Sequence, residues 1–315
     1  MNIKKIGLTA LAGSLVATSA FAGAVTVAGG ASMGVKNNSG TDGGKSWTMG
    51  NQLTFTGGGE LDNGLNVSIS FVLDQGDNET DTTSGAGTAP FDSHSITVSS
   101  DELGSVTMAG EGASSAQSAL DGTAAGDIFD NGFGISSPAA SDAASGSLLY
   151  TLPSIMDDLS AQVSYSAGGT GKESSTAVGL TYTGVDGLSA SWGTGELGTV
   201  GTSGDATTVK ASYAVGSFTA AISNTEIDFD ATANKDQEVS SFKVSYTVTD
   251  DLSISYGEET LETDGSATDE EVEQISASYT TGGMTVSLSE TEATGIDHSA
   301  GSTGERWKLG VSFAF

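Results

Sequence analysis

The chain has 315 residues, with 10 Lys and Arg against 40 Asp and Glu and a formal net charge of −30. Such a charge excludes nucleic acid as a partner, because a polyanion is repelled at every approach. The 0 Cys exclude a disulfide framework and thiolate metal sites, and 45 Gly with 3 Pro suit strands joined by turns better than helices.

The first residues set the compartment. Lys4 and Lys5 form a basic start, residues 6 to 19 (IGLTALAGSLVATS) form a short apolar run, and Ala20-Phe21-Ala22 is a small-x-small cleavage pattern. Residues 1–22 therefore read as a secretory signal, leaving 23–315 as one mature domain whose charge, without those two lysines, is −32. The apolar run is shorter than the ~20 residues a spanning helix needs, and no other segment approaches that length. Any membrane contact must come from strands.

Period-2 alternation then dominates. Strands are expected near 24–36, 46–60, 64–75, 92–101, 103–111, 146–153, 158–168, 174–184, 187–196, 205–215, 217–227, 238–249, 251–260, 271–281, 283–293 and 304–315. In VSSFKVSYTVT, for example, Phe242, Val244, Tyr246 and Val248 share one face while Ser241, Lys243, Ser245 and Thr247 share the other. A longer repeat lies over this one. Tyr150, Tyr182, Tyr213, Tyr246, Tyr279 and Phe313 stand 31 to 34 residues apart, and the middle four each precede a tight turn. That spacing is one hairpin per repeat. A propeller blade would need four strands in the same span.

An even count of about 16 strands, with tight turns on one side and longer Gly/Asp/Thr-rich loops on the other, predicts a transmembrane antiparallel up-and-down β-barrel. In hydrocarbon every backbone N–H and C=O needs an internal partner, so only helices and closed barrels can span. Apolar side chains would face lipid, Ser, Thr and Gly a watery lumen, and the recurring Tyr would form an aromatic girdle at the short-turn side. Both termini fall on that side.

The long interruption is the third long loop, residues 112 to 145, whose ionisable groups are all acidic: Asp121, Asp127, Asp130 and Asp142. It either folds into the barrel or decorates its outer surface. The Ala-Phe-Ala signal, the strand count, the long third loop and the terminal RWKLGVSFAF together resemble the general porins of Gram-negative outer membranes, in particular the acidic alphaproteobacterial type. The resemblance implies a homotrimer in lipid and lipopolysaccharide, passive diffusion of small hydrophilic solutes and ions, and a third loop folded inward as the constriction. It also makes Phe315 and Phe313, alternating with Val311, a C-terminal signal read by the barrel assembly machinery.

For such a pore, Asp121, Asp127 and Asp130 on the loop and Glu111 at the inward parity of the strand before it would concentrate cations. Lys210, Lys243 and Lys308 have inward parity and are expected on the opposite wall, facing the acidic loop. The single Arg, Arg306, lies near the outer mouth, so the expected preference is for cations. Other constellations are plainer. Asp74, Asp77, Glu79 and Asp81 of the second loop are candidate Ca²⁺ ligands without EF-hand spacing, and solvated surface acid is the simpler reading. His94 and His298, the two histidines, have no nucleophile, phosphate loop or metal spacing beside them, so no cofactor and no enzyme is expected. The alternative function is an exported, non-conducting surface-layer or adhesin-like β protein. The mass of the purified protein should give an N-terminus at Gly23; an intact Met1 would refute the signal.

Overall fold

A computed structural model of the chain describes residues 25–39, 44–74, 91–118, 120, 122–130, 132–135, 141, 145–154, 156–231 and 233–315. The expected signal, and Asp77, Glu79, Asp81, Asp121 and Asp142, lie outside these residues. Sixteen strands follow in order: β1 (Thr26–Asn38), β2 (Gly44–Glu60), β3 (Asn66–Asp74), β4 (Ser93–Ser100), β5 (Gly104–Glu111), β6 (Ser147–Thr151), β7 (Leu159–Ser166), β8 (Ser175–Val185), β9 (Leu188–Leu197), β10 (Gly204–Val215), β11 (Phe218–Phe229), β12 (Gln237–Thr249), β13 (Leu252–Thr263), β14 (Glu270–Thr281), β15 (Met284–Thr294) and β16 (Thr303–Ala314). No strand end falls more than three residues from its expected place. Each strand pairs antiparallel with its sequence neighbours, and β1 pairs with β16 to close the sheet.

Closure is carried to the last residue. The register of β1 with β16 runs from Asn38 opposite Arg306 to Gly30 opposite Ala314. Beyond it, Gly29 N–H donates to Phe315 O at 2.7 Å and Phe315 N–H donates to Gly29 O at 3.0 Å. Phe313 and Phe315 are themselves exposed, and the Phe315 ring lies against the bare Cα of Gly29.

The alternation places the side chains as the lipid requires. Along β10, Gly204, Ala206 and Thr208 are buried on the inner face while Asp205, Val209 and Tyr213 are exposed on the outer one. Ile222 and Ile275, on the outer face, are each 62% exposed. A water-soluble protein does not leave such side chains bare around its whole girth; a barrel in hydrocarbon does. Tyr150, Tyr182, Tyr213, Tyr246, Tyr279 and Phe313 are all exposed. The tyrosines sit close to the short turns, where Tyr246 packs on Phe218 with ring centroids 4.7 Å apart and Tyr150 Oη donates to Leu103 O at 2.8 Å.

The outer face is electrostatically lopsided. Near the long loops, β9 to β16 set carboxylates directly opposite one another: Glu196 with Asp205, Asp205 with Asp228, Glu226 with Glu238, Glu238 with Glu262, Glu273 with Glu292, and Glu292 with Glu305. Like charges so placed repel. The outward rows of β1 to β8 carry no carboxylate, Glu111 at the end of β5 aside.

Eight longer connections, L1 to L8, join strand ends on one side of the barrel: 39–43, 75–92, 112–146, 167–174, 198–203, 230–236, 264–269 and 295–302. The other end has tight turns, several carrying exposed acids: Asp62, Asp101, Glu102, Asp157, Asp158, Asp186, Asp250 and Asp251. The turn between β8 and β9 depends on Gly187, whose φ of 75° is costly for a residue with a Cβ and whose Cβ would strike Ala214 O. Gly187→Ala should therefore destabilise the barrel by at least ~1–2 kcal/mol, measured by urea unfolding in detergent. Gly169→Ala, where a Cβ meets nothing within 4 Å, should be neutral.

Candidate functional site

L3 leaves β5 and travels inside the barrel rather than over its rim. Its backbone groups are met one after another by the inner wall. Ala116 N–H donates to Ser164 Oγ of β7 at 2.8 Å, and Gln117, fully buried, donates through Nε2 to Thr208 Oγ1 of β10 at 2.9 Å. Ala124 N–H donates to Ser223 Oγ of β11 at 2.8 Å, and Ala125 N–H to Ser241 Oγ of β12 at 2.9 Å. Phe129 N–H donates to Glu259 Oε2 of β13 at 3.1 Å, while the Thr123 hydroxyl donates to Glu259 Oε1. Phe133 then covers Gly304 of β16. The chain returns through Ser141, whose N–H donates to Gln117 Oε1 at 2.7 Å and whose hydroxyl bonds that of Ser115.

The wall is prepared for this along a single rung. Lys210, Ser223, Ser241, Glu259, Val272, Ala293 and Gly304 are successive register partners from β10 to β16. Its first part offers hydrogen-bonding groups and its last part apolar ones. Glycines let the loop backbone approach: a Cβ on Gly179 would collide with Ala116 O, and one on Gly257 would come within 2.8 Å of Ala125 Cβ. At the apolar end, Ala125, Ile128, Phe129, Phe133 and Ile135 of L3 pack on Val239, Leu261, Val272 and Ala293, joined by Ile296 of L8. Burying each large member stabilises the docked loop by ~1.5–3 kcal/mol. Among the described residues this is the larger of two apolar clusters, and it belongs to the loop and wall together.

The expected basic wall is arranged differently. Lys210 and Lys243 do face inward, but they lie beneath L3 and not across the lumen from it. Lys210 Nζ donates to Gly122 O at 2.6 Å and Thr123 O at 3.2 Å, and Lys243 Nζ donates to Ala125 O at 3.4 Å. They are held by loop carbonyls, whose demand for donors in a narrow lumen outweighs a place facing the acids. Lys308 is inward and exposed on β16, directly opposite Lys36 of β1, with Arg306 and Asn38 paired on the same face two residues nearer the long loops. Arg306, expected at the outer mouth, is buried beside Gly132 at the far reach of L3.

The acids sit in three different settings. Asp127 lies in a closed turn, its N–H donating to Thr123 Oγ1 at 2.7 Å and its Oδ1 accepting from Thr123 N–H at 3.1 Å. Asp130 ends a short 3-10 turn, Ile128–Asp130, in the same segment. Glu111 does not have the simple inward parity expected of it. A register shift at the end of β4 sets it opposite His94, in the outward row of Phe71. Of the calcium candidates, Asp74 pairs in register with Gln52 at the end of β3. Among the described residues, the carboxylates that do converge, Glu258, Glu271 and Glu273, are on the outer face, with oxygens within 4.8 Å of one another.

Several residues of the site were not singled out from the sequence: Gln117, Ser164, Ser223, Ser241 and above all Glu259. The available signal was parity. Glu258-Glu259 must send one carboxylate out and one in, and an inward acid on a strand of small residues needs a partner.

No curated protein matches the sequence. Among solved structures, the anion-selective porin of Comamonas acidovorans superposes with a TM-score of 0.69 at 15% identity, over 93% of this chain and 99% of that one. A loop L8 deletion mutant of OmpT, an outer membrane protein of Vibrio cholerae, gives 0.71 at 14% identity, over 93% and 99%. An engineered Rh. blastica porin gives 0.67 at 16%, over 93% and 100%. These likenesses establish the fold. A family model described as Gram-negative porin matches residues 7–282. The chain belongs to the Gram-negative porin family: it is a sixteen-stranded diffusion channel of the outer membrane, and not an enzyme.

Proposed function

We propose that the protein is a general diffusion pore of the alphaproteobacterial type, preferring cations, with L3 as its constriction. The observation that carries this reading is the docking of L3 along one rung of the inner wall, which narrows the lumen with a loop whose ionisable groups are acidic. A 16-stranded barrel without such a loop is an open aqueous channel. Lys210 and Lys243, bonded to loop carbonyls, serve as loop anchors, which leaves Lys308 and Lys36 as the basic side of the eyelet. The exposed acids at the tight-turn mouth add to the field that draws cations inward. The selectivity of the Comamonas porin, at 15% identity, does not carry over.

The protein is further read as a homotrimer that packs through the β1 to β8 side, because that half can approach another copy without burying outward carboxylates. The opposed carboxylates of β9 to β16 then face lipopolysaccharide, whose phosphates they would meet through divalent cations. Phe313 and Phe315 act as the assembly signal, and residues 1–22 as the export signal.

In a planar bilayer with a KCl gradient, the reversal potential should have the sign of cation preference; the opposite sign would end this reading. Asp127→Asn together with Asp130→Asn and Asp121→Asn should bring it toward zero. Deleting residues 118–135 should leave a barrel that still migrates faster unheated than boiled, yet with higher conductance. Unchanged conductance would mean that L3 is not the constriction. Gly179→Leu, which pushes Ala116 off the wall, should make single-channel current noisier in the same barrel.

A further inference from the structure

Glu259 has no solvent exposure, so no permeating ion touches it. Both of its oxygens are nevertheless committed to L3, one to the Thr123 hydroxyl and one to Phe129 N–H. We propose that Glu259 is a positioning residue for ion selection, acting through Thr123 to hold Asp127 at the constriction. The proposal rests on the reading of L3 as the eyelet and of its acids as the source of cation preference.

The chain of contacts is short and directional. A threonine hydroxyl has one proton and two lone pairs. The proton of Thr123 goes to Glu259, so its lone pairs are turned back onto the loop. There they accept Asp127 N–H at 2.7 Å and Gly126 N–H at 3.1 Å, and Thr123 N–H in return donates to Asp127 Oδ1 at 3.1 Å. Asp127 sits at φ 53°, the left-handed region that Asp enters more readily than most residues with a Cβ, and its surroundings hold it there. Those surroundings are the Thr123 turn, and what orients the turn is Glu259.

The neighbours of Glu259 make the arrangement specific. On its rung, Ser241 and Val272 flank it without charge. Ser241 is occupied by Ala125 N–H, and the nearby ammonium groups of Lys210 and Lys243 are bonded to the carbonyls of residues 122, 123 and 125. Segment 122–129 is thus gripped on its carbonyl side by lysines and on its N–H side by two serines and one carboxylate. Of these groups, only the carboxylate also takes the proton of the Thr123 hydroxyl, the group that accepts Asp127 N–H. Rotating one carboxylate at the narrowest section changes the local ion concentration, because low-dielectric walls focus its field.

The test compares Glu259→Ala, Thr123→Val and Asp127→Asn, and the double variant Glu259→Ala/Asp127→Asn, all checked for heat-modifiable migration to show that the barrel has formed. Reversal potential in a KCl gradient is the first readout. Glu259→Ala and Thr123→Val should each move it at least halfway to the value of Asp127→Asn, and the double variant should match Asp127→Asn alone, since coupled residues are not additive. Amide exchange of residues 123–129 is the second readout, available whether or not the pore conducts, and should rise about tenfold in Glu259→Ala. Wild-type reversal potential in Glu259→Ala, or a shift that adds in full to that of Asp127→Asn, would overturn the proposal. Raised exchange with a silent Asp127→Asn would also overturn it, and would locate the failure in the assignment of Asp127 to selection rather than in the hold of Glu259 on the loop.

Discussion

A peptide group inside hydrocarbon has no water to bond, and each unsatisfied one costs several kcal/mol. The rest of this molecule follows from that cost. It forces the sheet to close, which makes the β1 with β16 pairing, carried out to Gly29 and Phe315, as necessary as any other seam. It also forces the sequence to present apolar side chains outward, so that Ile222 and Ile275 are exposed, and the larger buried apolar cluster among the described residues lies between L3 and the inner wall. What an ordinary domain gains from its interior, the barrel gains from lipid on its outer face and from its ladder of hydrogen bonds.

The same accounting recurs, on a smaller scale, inside the lumen. L3 brings a length of irregular backbone into a narrow space, and its N–H and C=O groups need partners there. The wall provides them in register: Ser223, Ser241 and Glu259 take donors, while Lys210 and Lys243 supply donors to carbonyls. Glycines at 179, 193 and 257 remove the side chains that would hold the loop away. Where hydrogen bonding ends, Phe129 and Phe133 take over and close against Val272, Ala293 and Gly304. The loop is therefore as much a part of the wall as any strand, and its path through the lumen is set by which rung it follows.

Legibility varied with the range of the interaction that decides each feature. Sixteen strands could be placed within a few residues because the inside–outside alternation is local and the lipid enforces it along the whole chain. The inward parity of Lys210, Lys243 and Lys308 was legible for the same reason. Their company was not. Lys210 lies opposite Ser223 in the barrel but bonds Gly122, a residue nearly ninety positions away, and no spacing announces that. Glu111 shows how parity itself fails: one register shift beside His94 undoes the count.

By itself, the sequence determined a signal-like start, a net acidic exported chain, a closed barrel of even strand number, an aromatic row near the short turns and one loop too long for a simple connection. All of these depend on residues close in the chain or on a solvent that acts everywhere alike. Only the tertiary structure decided where that loop lies, which lysines hold it, and that Glu259 rather than a surface acid grips its turn. Those outcomes depend on strand register and on which groups the closing barrel brings within 3 Å of one another, and register is a property of the finished sheet.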